Sequence, residues 1–217
     1  MNEVNPTVLF TMFGIPVRNT VVSTWVMMLL LIALAIVVNR KRPIALEMLV
    51  DFLSDMISDV MGRSAEPFLP LLGSLAIFIA VANVIGVVPI LVSPTLDINV
   101  TLALALVVFF SVHYFGIRSK GLFKYLKDMA SPIYLLPLEI IGQLSRTLSL
   151  TLRLFGNIFS AELIVVIIFA LVPLFIPLPL VGLGIFTGLL QAYIFTALAA
   201  VYIGAAIEAV SPTERKE

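Results

Sequence analysis

Residues 21–38 hold no charged side chain, and four further stretches of this 217-residue chain come close to the same condition. The hydrocarbon core of a bilayer is about 30 Å thick and a helix rises about 1.5 Å per residue, so about 20 apolar residues in a row span it. Hydrophobic residues make up 61% of the chain and charged ones only 12%, against about 25% charged in soluble domains. A water-soluble fold could not hide that much apolar surface, and the mean hydropathy of +1.15 agrees. The constraint is a polytopic helical membrane protein.

The first apolar run stops at Arg40, Lys41 and Arg42, which marks a first transmembrane helix over 21–38. Residues 44–63 differ. Glu47, Asp51, Asp55 and Asp59 recur every fourth position while Leu46, Leu49, Val50, Leu53, Ile57 and Val60 fill the other side, which predicts an amphipathic helix along the membrane surface. Residues 68–92 are apolar apart from Asn83, and after Ser93-Pro94-Thr95 the chain is apolar again to Phe115. This predicts a transmembrane hairpin over 68–115. A basic connection with Arg118, Lys120, Lys124 and Lys127 leads to long segments over 133–171 and 182–210, separated by a proline-rich link. Ten of the 13 basic residues fall in alternate connections, so the positive-inside rule expects five crossings, N-terminus outside and C-terminus cytoplasmic. The fold expected is an all-α integral membrane protein, one domain over 1–217 without repeats. Residues 1–17 lack a basic leader pattern and are expected to be retained.

Against this background Arg146 and Arg153 are conspicuous, because each costs about 2.5–3.5 kcal/mol inside a membrane on insertion-derived scales. A guanidinium stays charged under protein conditions. Seven residues are nearly two helical turns, so Glu139, Arg146, Arg153 and Ser160 share a face, extended by Gln143 and Asn157, with a drift of about 20° per heptad. Gly142, Ser149 and Gly156 lie along it, and small residues let another helix approach. Arg146 has two readings: a structural clasp with Glu139, or part of a functional face. Arg153 has no acid one or two turns away. Glu162, nine residues on, falls on the opposite side of the helix. It reads either as a proton-exchanging carboxyl or as a protonated acid bonded across helices. Gln191, with Thr187 and Phe195 on its face, is a packing amide or a channel residue, and Asp97 a helix cap or the mouth of a path.

What is missing narrows the chemistry. There is no cysteine, which excludes disulfides and thiol catalysis. No GxxxxGK(S/T) phosphate loop, metal-ligand cluster or like-charge block suited to nucleic acid is present. No cofactor and no metal are expected.

The segment Ser149-Leu150-Thr151-Leu152-Arg153-Leu154-Phe155-Gly156-Asn157, followed by Ala161-Glu162-Leu163, resembles the signature of the subunit a family of F-type ATP synthases. Leu190-Gln191-Ala192-Tyr193-Ile194-Phe195, Val201-Tyr202-Ile203, Asp97-Ile98-Asn99-Val100-Thr101-Leu102 and Tyr114-Phe115-Gly116-Ile117-Arg118 are similar to it too. The resemblance covers most of the chain, and the arginine motif is its specific part. It implies that Arg153 is the stator arginine facing a ring of c subunits and that the last two helices lie strongly tilted around that ring. It implies ion-pathway positions for Glu162, Asn157, Gln191, Glu139 and Ser149, with Arg146, Gln143, Ser160, Asn83 and Asp97 structural or lining the path. Two offset half-channels would carry protons or sodium ions, coupled to ATP synthesis. The partners implied are the c-ring, a b-type peripheral stalk, the F1 sector indirectly and the lipid bilayer. A bacterial plasma membrane is the setting expected, a thylakoid membrane the alternative. Where many bacterial relatives carry a histidine seven residues before the glutamine, this chain has Gly184, which leaves open what shares a proton with Glu162.

Two other readings compete. An ion-coupled secondary transporter would use the intramembrane arginine to bind an anion in a substrate-sized cavity at the midplane. A non-conducting membrane anchor would hold its buried charges for structure alone.

Overall fold

The computed structural model describes residues 8–12, 15–41, 43–87, 91–129, 136–171 and 177–208. A short antiparallel hairpin, β1 (Val8–Met12) and β2 (Ile15–Arg18), pairs Phe10 with Val17 and Met12 with Ile15. Seven α-helices follow among the described residues: α1 (Asn19–Lys41), α2 (Pro43–Met61), α3 (Leu69–Val84), α4 (Ile98–Lys120), α5 (Leu122–Met129), α6 (Leu136–Leu171) and α7 (Pro177–Glu208). Five of them, α1, α3, α4, α6 and α7, are long and apolar enough to cross a membrane. The all-helical membrane fold expected from the sequence is therefore found. The hairpin and α5 are additions that the hydropathy pattern did not announce.

Local chemistry sets the helix ends. Pro70 opens α3, where a missing N–H costs nothing. Asp97 caps α4 by accepting from the Asn99 backbone N–H at 3.0 Å, and Gly121 ends it with φ +81, a left-handed conformation that glycine adopts without strain.

α7 is the hub, packing on α2, α3, α4 and α6. Its inner side is built from Ala192, Phe195, Ala199, Ala200 and Ile203, which meet Ile57, Leu72, Ile79, Val108, Leu150 and Leu154 in one core. Gly188 brings α7 onto α3 most closely: a Cβ there would lie 2.9 Å from the Asn83 Cβ. The Asn83 amide donates to the Gly188 carbonyl at 2.8 Å and accepts from Thr95 at 2.8 Å.

Two ion pairs fix the direction of the bundle. Arg63, before α3, meets Glu208 at the end of α7 at 3.1 Å. Arg18, before α1, meets Asp97 at the start of α4 at 3.0 Å. With α3 and α7 running oppositely, these mark the two ends of the bundle, one bearing the basic connections and the other the N-terminal hairpin.

Candidate functional site

Arg153 sits at the middle of the 36-residue α6. The helix turns Thr147, Leu150, Thr151, Leu154 and Ile158 into the bundle and leaves Arg146, Ser149, Arg153 and Ser160 exposed. Gly142 and Gly156 on the same side would meet nothing within 4 Å if they carried a Cβ. The polar stripe read from the sequence is thus an open face. Arg153 makes no hydrogen bond or ion pair among the described residues.

The Glu139–Arg146 clasp is not formed. Glu139 instead accepts from Gln143 Nε2 at 3.2 Å, and the Arg146 guanidinium stands 5.6 Å from the centre of the Tyr202 ring on α7. A cation against an aromatic face stabilises by about 0.5–2 kcal/mol, more where water is excluded. Residue spacing along one helix could not disclose this pairing, because its aromatic half lies on another helix.

Two cavities, each mostly apolar but with some polar side chains in its wall, flank Arg153 along α6. One of about 200 Å³ lies toward the hairpin end, bounded by Asn83 and Gly86 from α3 and the turn after it, Ile158, Ala161, Glu162 and Val165 from α6, and Gly184 from α7. Glu162 is half-buried there, and a Cβ on Gly86 would come within 3.1 Å of its Oε1. Gly184 meets nothing within 4 Å, so of the Gly184/Gly188 pair only Gly188 serves close packing while Gly184 keeps space open beside Glu162. The second cavity, about 30 Å³, lies toward the other end and is lined by Val112, His113, Gln143, Arg146, Thr147 and Tyr202 among others. His113 Nδ1 lies 2.8 Å from the Phe109 carbonyl, and its ring contacts Phe109 and Tyr125. Burial pushes the Tyr125 hydroxyl above its ordinary range, and the Glu139 carboxylate adds to this.

Near the level of Arg153, Asn157 donates to the Thr187 carbonyl at 3.4 Å, a long bond between α6 and α7. Gln191, midway along α7, is buried with its Nε2 lacking a partner among the described residues. A buried amide donor left unbonded costs about 1–3 kcal/mol, so this one is placed for water or a transient acceptor. Two larger hollows, about 690 Å³ and 410 Å³, have walls that are almost wholly aliphatic and aromatic. Without polar groups to replace hydration they are clefts for lipid or apolar side chains, not ion paths.

At the hairpin end Asp97 accepts from Arg18, from the Thr20 hydroxyl at 3.2 Å, and from both the backbone and the amide of Asn99. Burial raises its carboxyl, but those donors and the Arg18 charge outweigh it and hold the group below the usual carboxylate range.

Five helices long and apolar enough to cross a membrane, with a mid-helix guanidinium exposed on the outer face of α6 and unpaired among the described residues, define an integral membrane protein. The chain belongs to the ATP synthase A chain family, whose profile matches residues 21–204. It is 47% identical over 195 residues to ATP synthase subunit a 2 of Bradyrhizobium sp. (strain BTAi1), covering 86% of this chain and 87% of that one. ATP synthase subunit a of Trichlorobacter lovleyi is 42% identical, with 81% of each chain covered. That of Moorella thermoacetica is 36% identical over 89% of this chain and 92% of its own.

Proposed function

We propose that this chain is the membrane stator of a rotary ATP synthase, one membrane domain that guides ions past a ring of c subunits through two offset half-channels. The observation that carries the reading is Arg153: exposed, unpaired among the described residues, and set between two cavities with polar side chains in their walls, which touch α6 over 158–165 on one side and 143–150 on the other.

The chemistry follows from charge and solvation. A rotor carboxylate facing lipid has to be neutral, because a charge in hydrocarbon is expensive. Opposite Arg153 the same carboxylate is stabilised as an anion and releases its ion to one cavity. It returns to lipid only when reloaded from the other. Arg153 meanwhile repels a cation attempting to pass directly between the two paths. One charge crossing 100 mV releases about 2.3 kcal/mol, so several steps per turn supply a useful torque.

In this assignment Glu162, Asn83 and Asn157 serve the path at the hairpin end, while Gln143, Arg146 and Glu139 serve the path at the basic end. Gln191 and Ser149 act near the crossing point and Ser160 on the rotor-facing side. The basic connections support a cytoplasmic position for the end they occupy, with the N-terminus outside and the C-terminus inside a bacterial plasma membrane as the proposed orientation. The 36-residue α6 and 32-residue α7 are about 54 and 48 Å long, well beyond a core of about 30 Å, which favours strongly inclined helices around a rotor. The peripheral stalk and the F1 sector complete the machine, and ATP chemistry belongs to partner subunits. A secondary transporter would need a substrate-sized hollow near mid-depth, about 300 Å³ or more; the polar cavities here are about 200 and 30 Å³ and lie off-centre.

The test is ATP-driven ion uptake into vesicles holding the assembled complex, native chain against Arg153→Ala at matched assembly. Loss of uptake and synthesis with the complex intact is expected. Coupled uptake near the native level would make Arg153 structural and overturn the proposal.

A further inference from the structure

The short helix α5 lines neither cavity, yet its surface is unusual. Phe123 is 90% exposed, with Leu122 and Leu126 about half-exposed at 51% and 50%. Tyr125 is the exception. Its ring lies across the backbone of Gly116 on α4, so closely that a Cβ there would come 2.5 Å from the Tyr125 Cε2.

That single contact fixes how α5 is rotated. At about 100° per residue, Tyr125 pointing into the protein puts Phe123 on the far side, Leu122 and Leu126 along one flank, and Lys124 and Lys127 along the other. The helix is therefore divided lengthwise into an apolar flank and a cationic flank. Its depth is fixed as well, because α4 ends at Lys120 and Gly121 turns the chain directly into α5. Tyr114, nearly two turns above the end of α4, is 56% exposed and accepts from Arg118 at 3.0 Å. An exposed tyrosine beside an arginine is the arrangement found where hydrocarbon gives way to headgroups. Residues 118–128 carry Arg118, Lys120, Lys124 and Lys127 against the single acid Asp128.

We propose that α5 is a membrane-interface anchor: Leu122, Phe123 and Leu126 enter the acyl boundary of the bilayer while Lys120, Lys124 and Lys127 gather the headgroups of anionic phospholipids. An acidic protein partner would suit the positive charge of this segment but leave the phenylalanine and leucines without an apolar environment. A zwitterionic surface would take the apolar side chains but not the charge. Only an anionic lipid surface meets both, since apolar burial and electrostatic attraction act together on such helices. The inference concerns how the subunit seats itself in the bilayer and stands apart from the ion-pathway assignment.

The chain has no cysteine, so a nitroxide on Phe123→Cys in the full chain is a unique reporter. Reconstituted in phosphatidylcholine vesicles containing phosphatidylglycerol, the label should relax readily with oxygen and weakly with a water-soluble nickel chelate. Spin-labelled phosphatidylglycerol should be held by the native chain in preference to spin-labelled phosphatidylcholine. The combined variant Lys120→Gln, Lys124→Gln, Lys127→Gln should lower that preference by about fivefold or more, whereas arginine at the same three positions should keep it. A label open to nickel, or an unchanged lipid preference in the glutamine variant, overturns the proposal. So does a label shielded from both oxygen and nickel in the assembled complex, which would give this face to a protein neighbour.

Discussion

Asp97 shows how much a single carboxylate can organise when it is buried among donors. Its side chain is 5% exposed while that of Arg18 is 38% exposed, so the two halves of this ion pair are not equivalent. Asp97→Ala removes the α4 cap and strands Thr20 and Asn99, and should lower stability in detergent by about 1–3 kcal/mol. Arg18→Ala leaves the cap in place and should cost less than about 1 kcal/mol; thermal unfolding of the two variants checks the order. Because the folded carboxyl titrates below its ordinary value, its contribution is complete above about pH 4 and is lost only as the pH falls through the lowered value. Protease resistance of the hairpin should therefore be flat from neutrality to about pH 4 and fall below it. The capping role was legible beforehand, since an aspartate at the head of an apolar run has few other local uses. Its bond to Arg18 was not, because 79 residues separate them. The same holds for the arginines of α6. Their cost in an apolar segment made them visible in the sequence, but whether each finds a partner is decided by other helices: Tyr202 answers Arg146, and nothing among the described residues answers Arg153.

Helix contacts in this bundle are set by where side chains are missing. Gly184 and Gly188 stand at GxxxG spacing, a pattern associated with close helix packing, yet the two face different surroundings. At Gly188 an added Cβ would press at 2.9 Å on the Asn83 Cβ, an atom tied to the backbone that cannot swing away. Gly188→Ala should force α3 and α7 apart, break the bond from Asn83 to the Gly188 carbonyl, and cost about 1–3 kcal/mol. Gly184→Ala meets open space and should fold and assemble as the native chain does, with at most a small gain from the better helix former. Yield of folded subunit after extraction, with its melting temperature, separates them; equal behaviour would mean that α3 and α7 are less closely joined than described. Periodicity and length made the long apolar helices and the helical form of the acidic segment readable, because bilayer thickness and helix rise leave few alternatives. The turn into α5 was not readable, since its eight residues are too few for a hydropathy window and its lysines read simply as a basic loop.

Taken as a whole, the bundle separates two polar cavities by the length of α6 between Ile158 and Leu150, with Arg153 between them and the core residues Leu150 and Leu154 closing the interior. A continuous pore would collapse the ion gradient without doing work, so the proposed mechanism requires each cavity to open to one face only. The absence of native cysteine allows this to be read one position at a time. Gly184→Cys stands in the cavity beside Glu162, and Thr147→Cys in the one beside Arg146. Silver ion is small enough to follow a water-sized path, and a blocked thiol in either cavity should stop ATP-driven uptake. In vesicles presenting the hairpin end outward, external silver should inhibit the Gly184→Cys complex and spare the Thr147→Cys complex. In vesicles of the opposite orientation the order should reverse. Inhibition of one variant from both faces would join the two cavities into a single channel, and a rotor passing an isolated Arg153 would then no longer be needed to explain how ions cross.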